Sequence, residues 1–420
     1  MGFQQGLSGL NAAAQNLSVI GNNVANASTV GFKQSQAQFA DVYASTLGGS
    51  GGVAAGIGTK ISTVAQQFGQ GNISTTNNPL DIAISGQGFY QLDNNGAISY
   101  SRNGQFQLDK NGFIVSAQGH KLTGFVANPV TGAISLGSAV PLQVSTQSIT
   151  PLPSSTSSVG VNLDSRMTVP TTAIFSPIDS TSYNSSTALT LYDSLGNSHI
   201  ATTYFVKNAT VNTWDVHMTV DGLGLDGTPA TATNTLLGAS PTLTFNTTGA
   251  LITPATGIVN ILPGIVYATG STTPQPLTFN FLSSTQFGSA FAVNQLTQNG
   301  YTSGQLSGFN TSADGTIVGR YTNGQSKALG QILLANFANP QGLQPVGNNE
   351  WIASASSGSA LIGTPGTSSL GVVQSSAVED SNVDLTAELV NMIMAQRVYQ
   401  ANAQTIKTED AMMQTITNLR

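Results

Sequence analysis

The two ends of the chain carry the same spacing of apolar and small residues. Near the N-terminus, alternating steps of four and three residues connect Phe3, Leu7, Leu10, Ala14, Leu17, Gly21 and Val24. Near the C-terminus, the same rhythm connects Leu385, Leu389, Met392, Gln396, Tyr399, Ala403, Ile406 and Met413. A repeat of about 3.5 residues marks a narrow helical stripe that needs a partner helix. The pattern predicts paired, coiled-coil-like helices over residues 3–29 and from about Asp384 nearly to the C-terminus.

Between these helices, short β-rich runs alternate with turn residues. Asn-Gly turns such as Asn103-Gly104 separate strand-like segments from Ile73 onward, and this pattern returns near Gly300 after a Thr-rich β region. We therefore predict a mainly β fold with α-helical termini and a nested architecture, in which an outer β domain is inserted into a split antiparallel β domain. The predicted domains are a terminal helical domain with linkers at 1–70 and 363–420, a middle β domain at 71–145 and 299–362, and an inserted outer β domain at 146–298.

Charge is unusually sparse. Charged residues make up 7% of the chain, against roughly 25% in an ordinary globular protein. No charged residue or histidine occurs from Gly227 to Ala313. Low charge removes the repulsion that keeps soluble proteins apart, so it fits a surface that packs in a polymer as well as it fits a neutral β surface. Together with terminal stripes that neighbouring subunits could cover, it favours a self-assembling protein.

Composition also excludes several partners. The 12 Lys and Arg residues are scattered and the net charge is −6, so no electrostatic surface for nucleic acid is expected. The first 32 residues are uncharged but contain too many Gln and Asn residues for membrane insertion. The first charged residue is Lys33, so we expect no cleaved secretory signal peptide. Cysteine is absent, which argues against disulfides and thiolate chemistry.

We find no arrangement that indicates an enzyme, a cofactor or a metal site. The run Gly222 to Gly227 matches G-x-G-x-x-G, but a poor helix start follows it and it is interpreted as a loop. The histidines are dispersed and lack an acidic or Cys companion in the sequence; they are His120, His199 and His217. The Glu379-Asp380 pair is interpreted as a solvated face of the C-terminal helical region. Catalytic, cofactor and metal residues are therefore predicted to be none.

Three motifs resemble those of the bacterial flagellar axial proteins, the family of rod, hook and hook-associated proteins. The N-terminal motif contains Asn22, Asn23, Asn26, Gly31 and Phe32. The second motif contains Gly86, Gly88, Phe89, Arg102, Asn103 and Gly104. The C-terminal motif contains Asn382, Asp384, Gln396, Arg397 and Asn402. In addition, Tyr192 to Gly196 with Trp214 resembles the outer domain of the hook members, so the resemblance covers nearly the whole chain.

The resemblance implies a structural subunit that self-assembles into the hollow, curved flagellar hook, a flexible universal joint that transmits motor torque from rod to filament. The terminal helices would line the inner tube. The implied partners are other copies of the chain, the rod, hook cap and hook–filament junction proteins, and the flagellar export apparatus. The implied location is the extracellular hook on the basal-body side of the flagellum.

Two alternatives stay open at the level of sequence. A distal-rod or hook-associated axial protein shares the terminal motifs, although rod proteins of this group are shorter and lack the inserted domain. From another class, an extracellular β-rich adhesin or carbohydrate-binding protein could share the Thr- and Asn-rich strands. Such a protein would not need matched helical stripes at both ends.

Overall fold

A computed structural model describes residues 2–42, 56–129, 131–135, 137–145, 147–237 and 242–418. The two predicted terminal helices are present, as α1 (Gly2–Ala25) and α2 (Leu385–Asn418). α2 begins where the sequence predicts a cap. The Asp384 Oδ1 atom accepts the backbone N–H groups of Thr386 at 2.9 Å and Ala387 at 3.1 Å, which satisfies two donors that the helix itself cannot pair.

α1 ends four residues before the predicted boundary. Gly21 and the two asparagines that follow it are poor helix formers. The side chain of Asn23 binds outside the helix: its Nδ2 donates to the Ser35 carbonyl at 2.8 Å, and its Oδ1 accepts the Ser35 N–H at 2.9 Å. The prediction of helix through residue 29 is therefore wrong, because residues 26–29 form a turn instead.

Twenty-nine strands lie between the helices in the described part of the chain. The first ten are β1 (Ser35–Val42), β2 (Gly58–Gln66), β3 (Ile73–Thr75), β4 (Ile82–Ser85), β5 (Phe89–Asn94), β6 (Ala97–Ser101), β7 (Gln107–Leu108), β8 (Ile114–Val115), β9 (Lys121–Val126) and β10 (Val140–Pro141). The next ten are β11 (Thr156–Asp164), β12 (Ser185–Tyr192), β13 (Ser198–Lys207), β14 (Thr213–Val220), β15 (Thr242–Phe245), β16 (Leu251–Thr253), β17 (Ile258–Ile265), β18 (Gln275–Asn280), β19 (Thr285–Phe287) and β20 (Ala292–Gln298). The remaining strands are β21 (Leu306–Thr311), β22 (Thr316–Tyr321), β23 (Ser326–Ile332), β24 (Leu334–Asn336), β25 (Gln344–Gly347), β26 (Glu350–Ile352), β27 (Leu361–Gly363), β28 (Val372–Ser375) and β29 (Ala377–Glu379), with a 3-10 turn at Pro340–Gly342 before β25.

The chain divides into two compact units. The first, called unit 1, comprises Met1–Thr146, Ser307–Arg320 and Ser326–Arg420, and the second, unit 2, comprises Gln147–Leu306 and Tyr321–Gln325. The main sheet of unit 1 has the order β21-β22-β23-β9-β5-β6-β26-β25. Three early strands, β9, β5 and β6, lie between late strands on both sides, which is the arrangement that an inserted segment produces.

The N- and C-terminal parts of unit 1 are tied together by small antiparallel sheets. β4 pairs with β28 and β3 pairs with β29, although more than 280 positions separate the partners in each case. β1 and β2 form a separate antiparallel hairpin. An aromatic cluster of Phe68, Phe89, Phe337 and Trp351 packs edge to face beside them. These contacts hold the start of the chain against its end.

Unit 2 is a sandwich of two five-stranded sheets. One has the order β12-β13-β14-β15-β16, and the other has β17-β18-β11-β19, with β20 pairing β11. Inward residues of both sheets share one core, which includes Val161, Phe205, Trp214 and Phe279, all fully buried. Unit 2 is thus one compact unit with a shared core. The predicted fold class is confirmed as mainly β with helices at both termini, while the predicted division into three domains stays a proposal.

Candidate assembly surface

α1 and α2 pack antiparallel along a seam of glycines. A Cβ atom added to Gly2 would meet the Glu409 carboxylate, one on Gly6 would lie 3.2 Å from the Ile406 side chain, and one on Gly9 would lie 2.7 Å from the Asn402 amide oxygen. Residue numbers of the contacting pairs rise along α1 as they fall along α2, so the two helices run antiparallel. Glycines therefore allow the two helices to approach closely.

The apolar stripe predicted on α1 lies beside this seam. Its first three members, Phe3, Leu7 and Leu10, each lie one position after a seam glycine, which is about 100° around the helix. Phe3 remains 49% exposed and Leu7 remains 43% exposed, whereas Leu10, Leu17 and Val24 are half-buried. The intramolecular helix pair thus leaves the largest apolar groups at the start of α1 uncovered.

α2 is exposed over most of its surface. Only Glu388 and Ala395 are buried among its residues whose burial is described. Of the predicted stripe, Met392 and Ile406 are half-buried, and the exposed members are Leu385, Leu389, Tyr399 and Met413. Other apolar side chains on α2 are exposed as well, at Val390, Ile393, Met394 and Val398. A helix with apolar groups on several faces needs more than one partner helix.

The N-terminal and second motifs meet at a buried charge cluster in unit 1, which we call the Glu379 node. It joins Lys33, directly after Phe32, and Arg102 to Glu379, which lies three positions before Asn382 of the C-terminal motif. The Lys33 Nζ atom lies 2.6 Å from Glu379 Oε1, and Arg102 Nη1 lies 3.0 Å from Glu379 Oε2. Lys33 also donates to the Gly69 carbonyl at 2.9 Å, and Arg102 donates to the Gly86 carbonyl at 2.7 Å. Nearly every polar atom of the node is paired, which is the condition under which buried charges are tolerated.

The electrostatics of the node depend on its burial. Desolvation lowers the pKa of the Lys33 ammonium below its ordinary value. Attraction to the Glu379 carboxylate opposes that change, and the like charge of Arg102 adds to it. The Glu379 carboxylate also accepts the Gly71 N–H at 2.9 Å, and its own backbone carbonyl accepts the Gly31 N–H at 2.8 Å. One carboxylate therefore connects residues from both ends and from the second motif.

Two motif glycines are required by their surroundings. Gly31 has φ of +71°, and a Cβ there would lie 2.6 Å from the Asn103 backbone nitrogen. Gly104 pairs through its carbonyl with the Ile82 N–H at 2.9 Å, and a Cβ there would collide with the Ile82 carbonyl. The N-terminal and second motifs thus share a tight backbone contact that no larger residue allows.

The other residues of the first two motifs have structural positions as well. Phe32 and Phe89 are buried, and Gly88 directly precedes β5. Asn22 accepts the Asn26 side-chain amide at its carbonyl at 2.9 Å, which closes the turn after α1. Asn103 Oδ1 accepts the Gln105 N–H at 3.0 Å in a second turn. These residues shape the junction between helix and β structure.

The C-terminal motif divides between two roles. Asn382 bridges the chain ends, since its Oδ1 accepts the Gln34 N–H at 2.8 Å and its Nδ2 donates to the Gln67 carbonyl at 2.8 Å. Asn402 lies at the helix seam, whereas Gln396 and Arg397 are exposed on α2. The exposed pair has no structural role that the described chain accounts for.

Sequence reasoning missed the acidic residues that matter most. Glu379 is fully buried at the end of β29 and is not on a solvated helix face, so that interpretation is wrong. Glu388 is 3% exposed, and its Oε1 accepts the Gln34 side-chain amide at 2.5 Å. A hint was present for Glu379, because Lys33 and Arg102 are two of only 12 cationic residues and both lie within motifs.

Two of the three histidines have acidic companions, contrary to the sequence interpretation, whereas His217 contacts the Thr235 hydroxyl. His199 Nδ1 lies 2.6 Å from Asp221 Oδ2, and its Nε2 lies 3.4 Å from Asp193 Oδ2. His120 Nδ1 lies 2.9 Å from Glu350 Oε1. Within the described residues, no group of three or more His, Asp or Glu side chains has the geometry to hold a metal ion.

None of the described helices is long and apolar enough to cross a membrane.

Comparison with family models matches four parts of the chain, two of which overlap, to flagellar axial proteins. Residues 3–33 match the flagella basal body rod protein family, and residues 83–174 match the flagellar hook protein FlgE/F/G D1 domain. Residues 162–301 match the flagellar basal body protein FlaE D2 domain, and residues 374–419 match the C-terminal region of flagellar basal body rod FlgEFG proteins. The class defined by the fold and these matches is a flagellar axial structural protein.

Relatives that match the chain over its full length show which member of this class it resembles. The chain is 44% identical to the flagellar hook protein FlgE of Salmonella typhimurium and to that of Escherichia coli K12, with 100% of both chains covered in each case. It is 30% identical to the hook protein of Borreliella burgdorferi, over 99% of this chain and 98% of that protein. The solved structure of Helicobacter pylori hook protein FlgE2 is similar in fold, with a TM-score of 0.51 and 13% identity over 73% of this chain and 100% of that one. The chain belongs to the flagellar hook protein FlgE family and is a structural subunit of the bacterial flagellar hook.

Proposed function

We propose that the exposed stripes of α1 and α2 form the polymerisation surface of the hook, and that they close its inner tube by packing against other copies of the chain. The observation that carries this proposal is the offset between seam and stripe. Glycines join the two helices of one copy, while Phe3, Leu7, Leu385 and Leu389 are left 43–49% exposed. Burying the part of each that is still exposed is worth about 1 kcal/mol, so contact with another copy of the chain is favourable.

The layers of the polymer are proposed from membership of the hook protein family, and the nesting of the chain supports them. The terminal helices would form the inner layer, the β strands of unit 1 the middle layer, and unit 2 the outer layer. In this arrangement the hook bends as a universal joint when outer contacts slide while the inner helices stay closed. Polar Thr and Asn side chains on the outer unit suit such a hydrated, sliding contact.

The partners and the route of export follow the same proposal. The rod, hook cap and hook–filament junction proteins would meet the ends of the polymer, and the export apparatus would deliver the chain without a cleaved signal peptide. No catalytic role is proposed, since the stripes and the Glu379 node both serve structure.

The test compares exposed helix residues with an exposed residue elsewhere. Leu7→Ala and Leu389→Ala should leave the circular dichroism of the monomer unchanged and lower its unfolding temperature only slightly, because nearly half of each residue is already exposed to water. Both variants should raise the protein concentration needed for tube formation by at least tenfold when the protein is salted out, as judged by sedimentation and electron microscopy. Val211→Ala, which removes a 79% exposed side chain in unit 2, is the control. Equal assembly of the helix variants and the wild type would refute the proposal.

A further inference from the structure

A groove opens between the two helices and the β1–β2 hairpin of unit 1. It has a volume of about 610 Å³ and a largely apolar lining. Residues from three elements surround it, including Ala12, Ile20, Phe39, Met394, Val398 and Glu388. Phe39, Met394 and Val398 remain 43–59% exposed, so the groove has an apolar rim that is open to solvent. We call it the Glu388 groove.

Glu388 is the one carboxylate in the lining of this groove, and half of it lacks a partner. The residue is 3% exposed, and its Oε1 is occupied by the Gln34 amide at 2.5 Å. Its Oε2 is buried and has no hydrogen-bond partner in the described chain. A buried carboxylate oxygen without a donor is costly, and native structures rarely keep one. The site therefore calls for a cationic donor, and no Lys or Arg lines the groove.

Arg397 has the complementary properties. It lies on α2 and is exposed, and it makes no ion pair or hydrogen bond with any described residue. It lies nine positions after Glu388, which places it about 14 Å along the helix and about 180° around it. Val390 and Ile393, both more than half exposed, lie on the same face as Arg397 at helical spacing. This face presents two apolar groups, which suit the apolar rim of the groove, and one guanidinium, which suits the unpaired Glu388 oxygen.

The two surfaces cannot meet within one copy, because they lie on opposite sides of the same helix. An acceptor and a donor on different faces of one subunit define a head-to-tail contact, and such contacts form open helical polymers unless the rotation closes a ring. We propose that the Val390, Ile393 and Arg397 face of α2 docks into the Glu388 groove of a second copy, with the Arg397 guanidinium donating to Glu388 Oε2. This inference rests on the proposed function, and it names the contact that sets the order of the subunits.

The experiment measures the critical concentration for assembly with polyethylene glycol at low ionic strength, where charge pairs are least screened. Arg397→Gln and Glu388→Gln should each raise it by at least tenfold, and the double variant should be no worse than either single variant, since both remove the same pair. Glu388→Gln keeps an acceptor for Gln34, so the monomer should stay folded. Lys407→Gln removes another exposed positive charge from α2 and should stay within twofold of the wild type.

A second readout uses the absence of cysteine from the chain. Arg397→Cys and Glu388→Cys subunits are mixed, assembled and treated with a short bis-maleimide, and they should give a crosslinked dimer. The linker is needed because an arginine–glutamate pair holds the two Cα atoms farther apart than a disulfide can span. The control mixture replaces Arg397→Cys with Gln404→Cys, an exposed position elsewhere on α2, and should give little dimer. If Glu388→Cys does not fold, the charge variants decide alone.

The outcomes separate this inference from the proposed function. Assembly of Arg397→Gln at the wild-type concentration, additive effects in the double variant, or equal crosslinking at Gln404 would overturn the docking while leaving polymerisation intact. If Lys407→Gln raised the critical concentration as much as Arg397→Gln does, the effect would be one of net charge alone. That result would also overturn the docking. Failure of the helix stripe variants to impair assembly would instead count against the proposed function.

Discussion

At the scale of residues, the most informative feature is where a charge-poor chain places its charges. Lys33, Arg102 and Glu379 are withdrawn from water and joined across 346 positions of sequence. Buried ion pairs are weak evidence for stability, but removing one partner leaves an uncompensated charge. The node therefore acts mainly by fixing how three distant segments meet.

Replacing Glu379 tests this account. Glu379→Gln should destabilise unit 1 by roughly 3–5 kcal/mol, because two cations then remain buried without a carboxylate. Trp351 lies in unit 1 and Trp214 in unit 2, so urea unfolding followed by Trp351 fluorescence in a Trp214→Phe background reports on unit 1 alone. Asp410→Asn, at an exposed position on α2, should change stability by less than about 0.5 kcal/mol. A loss below about 1 kcal/mol for Glu379→Gln would contradict a tightly coupled node.

A second residue-scale prediction concerns His217 in unit 2. Burial lowers the pKa of His217 to about 4, while the ring stacks on Phe175 with centroids 4.0 Å apart. The unfolded chain, with a His pKa of about 6.5, then binds more protons than the folded chain between pH 6.5 and 4. The stability of unit 2 should be full above pH 6.5, and should fall by roughly 3 kcal/mol as the pH drops to about 4.

Trp214 fluorescence in a Trp351→Phe background measures this dependence. His217→Gln cannot titrate, so the part of the slope between pH 6.5 and 4 that His217 contributes should vanish in that variant. An unchanged slope would show that other groups of unit 2 cause the acid sensitivity.

The residue-scale pairing could not be predicted from the sequence. Spacing along the chain reveals neighbours on one helix or strand, but Lys33 and Glu379 become neighbours only after β3 pairs with β29. The motif residues were identified by resemblance, whereas the reason for Gly31 and Gly104 became clear only from the backbone atoms that approach them.

At the scale of elements, the sequence predicted the helices well and their mutual packing poorly. The 3.5-residue rhythm identified α1 and α2, because apolar periodicity is a local property of a helix. It did not identify the seam, since glycines carry no apolar signal and their contact depends on which face the partner helix takes. Part of the stripe that suggested a helix pair is left exposed by that pair, at Phe3, Leu7, Leu385 and Leu389, whereas Ile406 of the same stripe packs against Gly6.

Filling the seam tests this distinction. Gly6→Leu should force α1 away from Ile406, and overpacking of this kind costs about 1–3 kcal/mol. Leucine favours helix more than glycine does, so weaker helix formation cannot explain the loss. Hydrogen exchange of α1 in the monomer should accelerate about tenfold or more, measured by mass spectrometry of peptides within residues 2–25. Ser18→Leu, at an exposed position on α1, should leave exchange unchanged, and equal exchange in both variants would place the seam elsewhere.

At the scale of the whole molecule, the terminal helices and unit 2 are formed by separate stretches of the sequence. The core of unit 2 lies entirely within residues 147–306, and its two connections run side by side: the Ile149 N–H donates to the Gly304 carbonyl at 2.8 Å, and the Tyr301 N–H donates to the Leu152 carbonyl at 2.9 Å. Adjacent ends allow a domain to be removed or expressed alone with little strain on the rest.

We therefore expect the two parts to behave differently when separated. Residues 147–306 alone should fold cooperatively, with Trp214 emitting at the wavelength of a buried indole, and should stay monomeric when salted out. The chain with residues 147–306 replaced by a short Gly-Ser linker keeps both helices and the Glu379 node, so it should still form tubes in the electron microscope. The same shortened chain with Leu389→Ala is the control, and it should assemble less readily if the helices drive assembly. If the isolated insertion formed tubes, unit 2 would drive assembly. The same conclusion would follow if the shortened chain stayed folded but formed no tubes, because the helical stripes would then be insufficient for assembly.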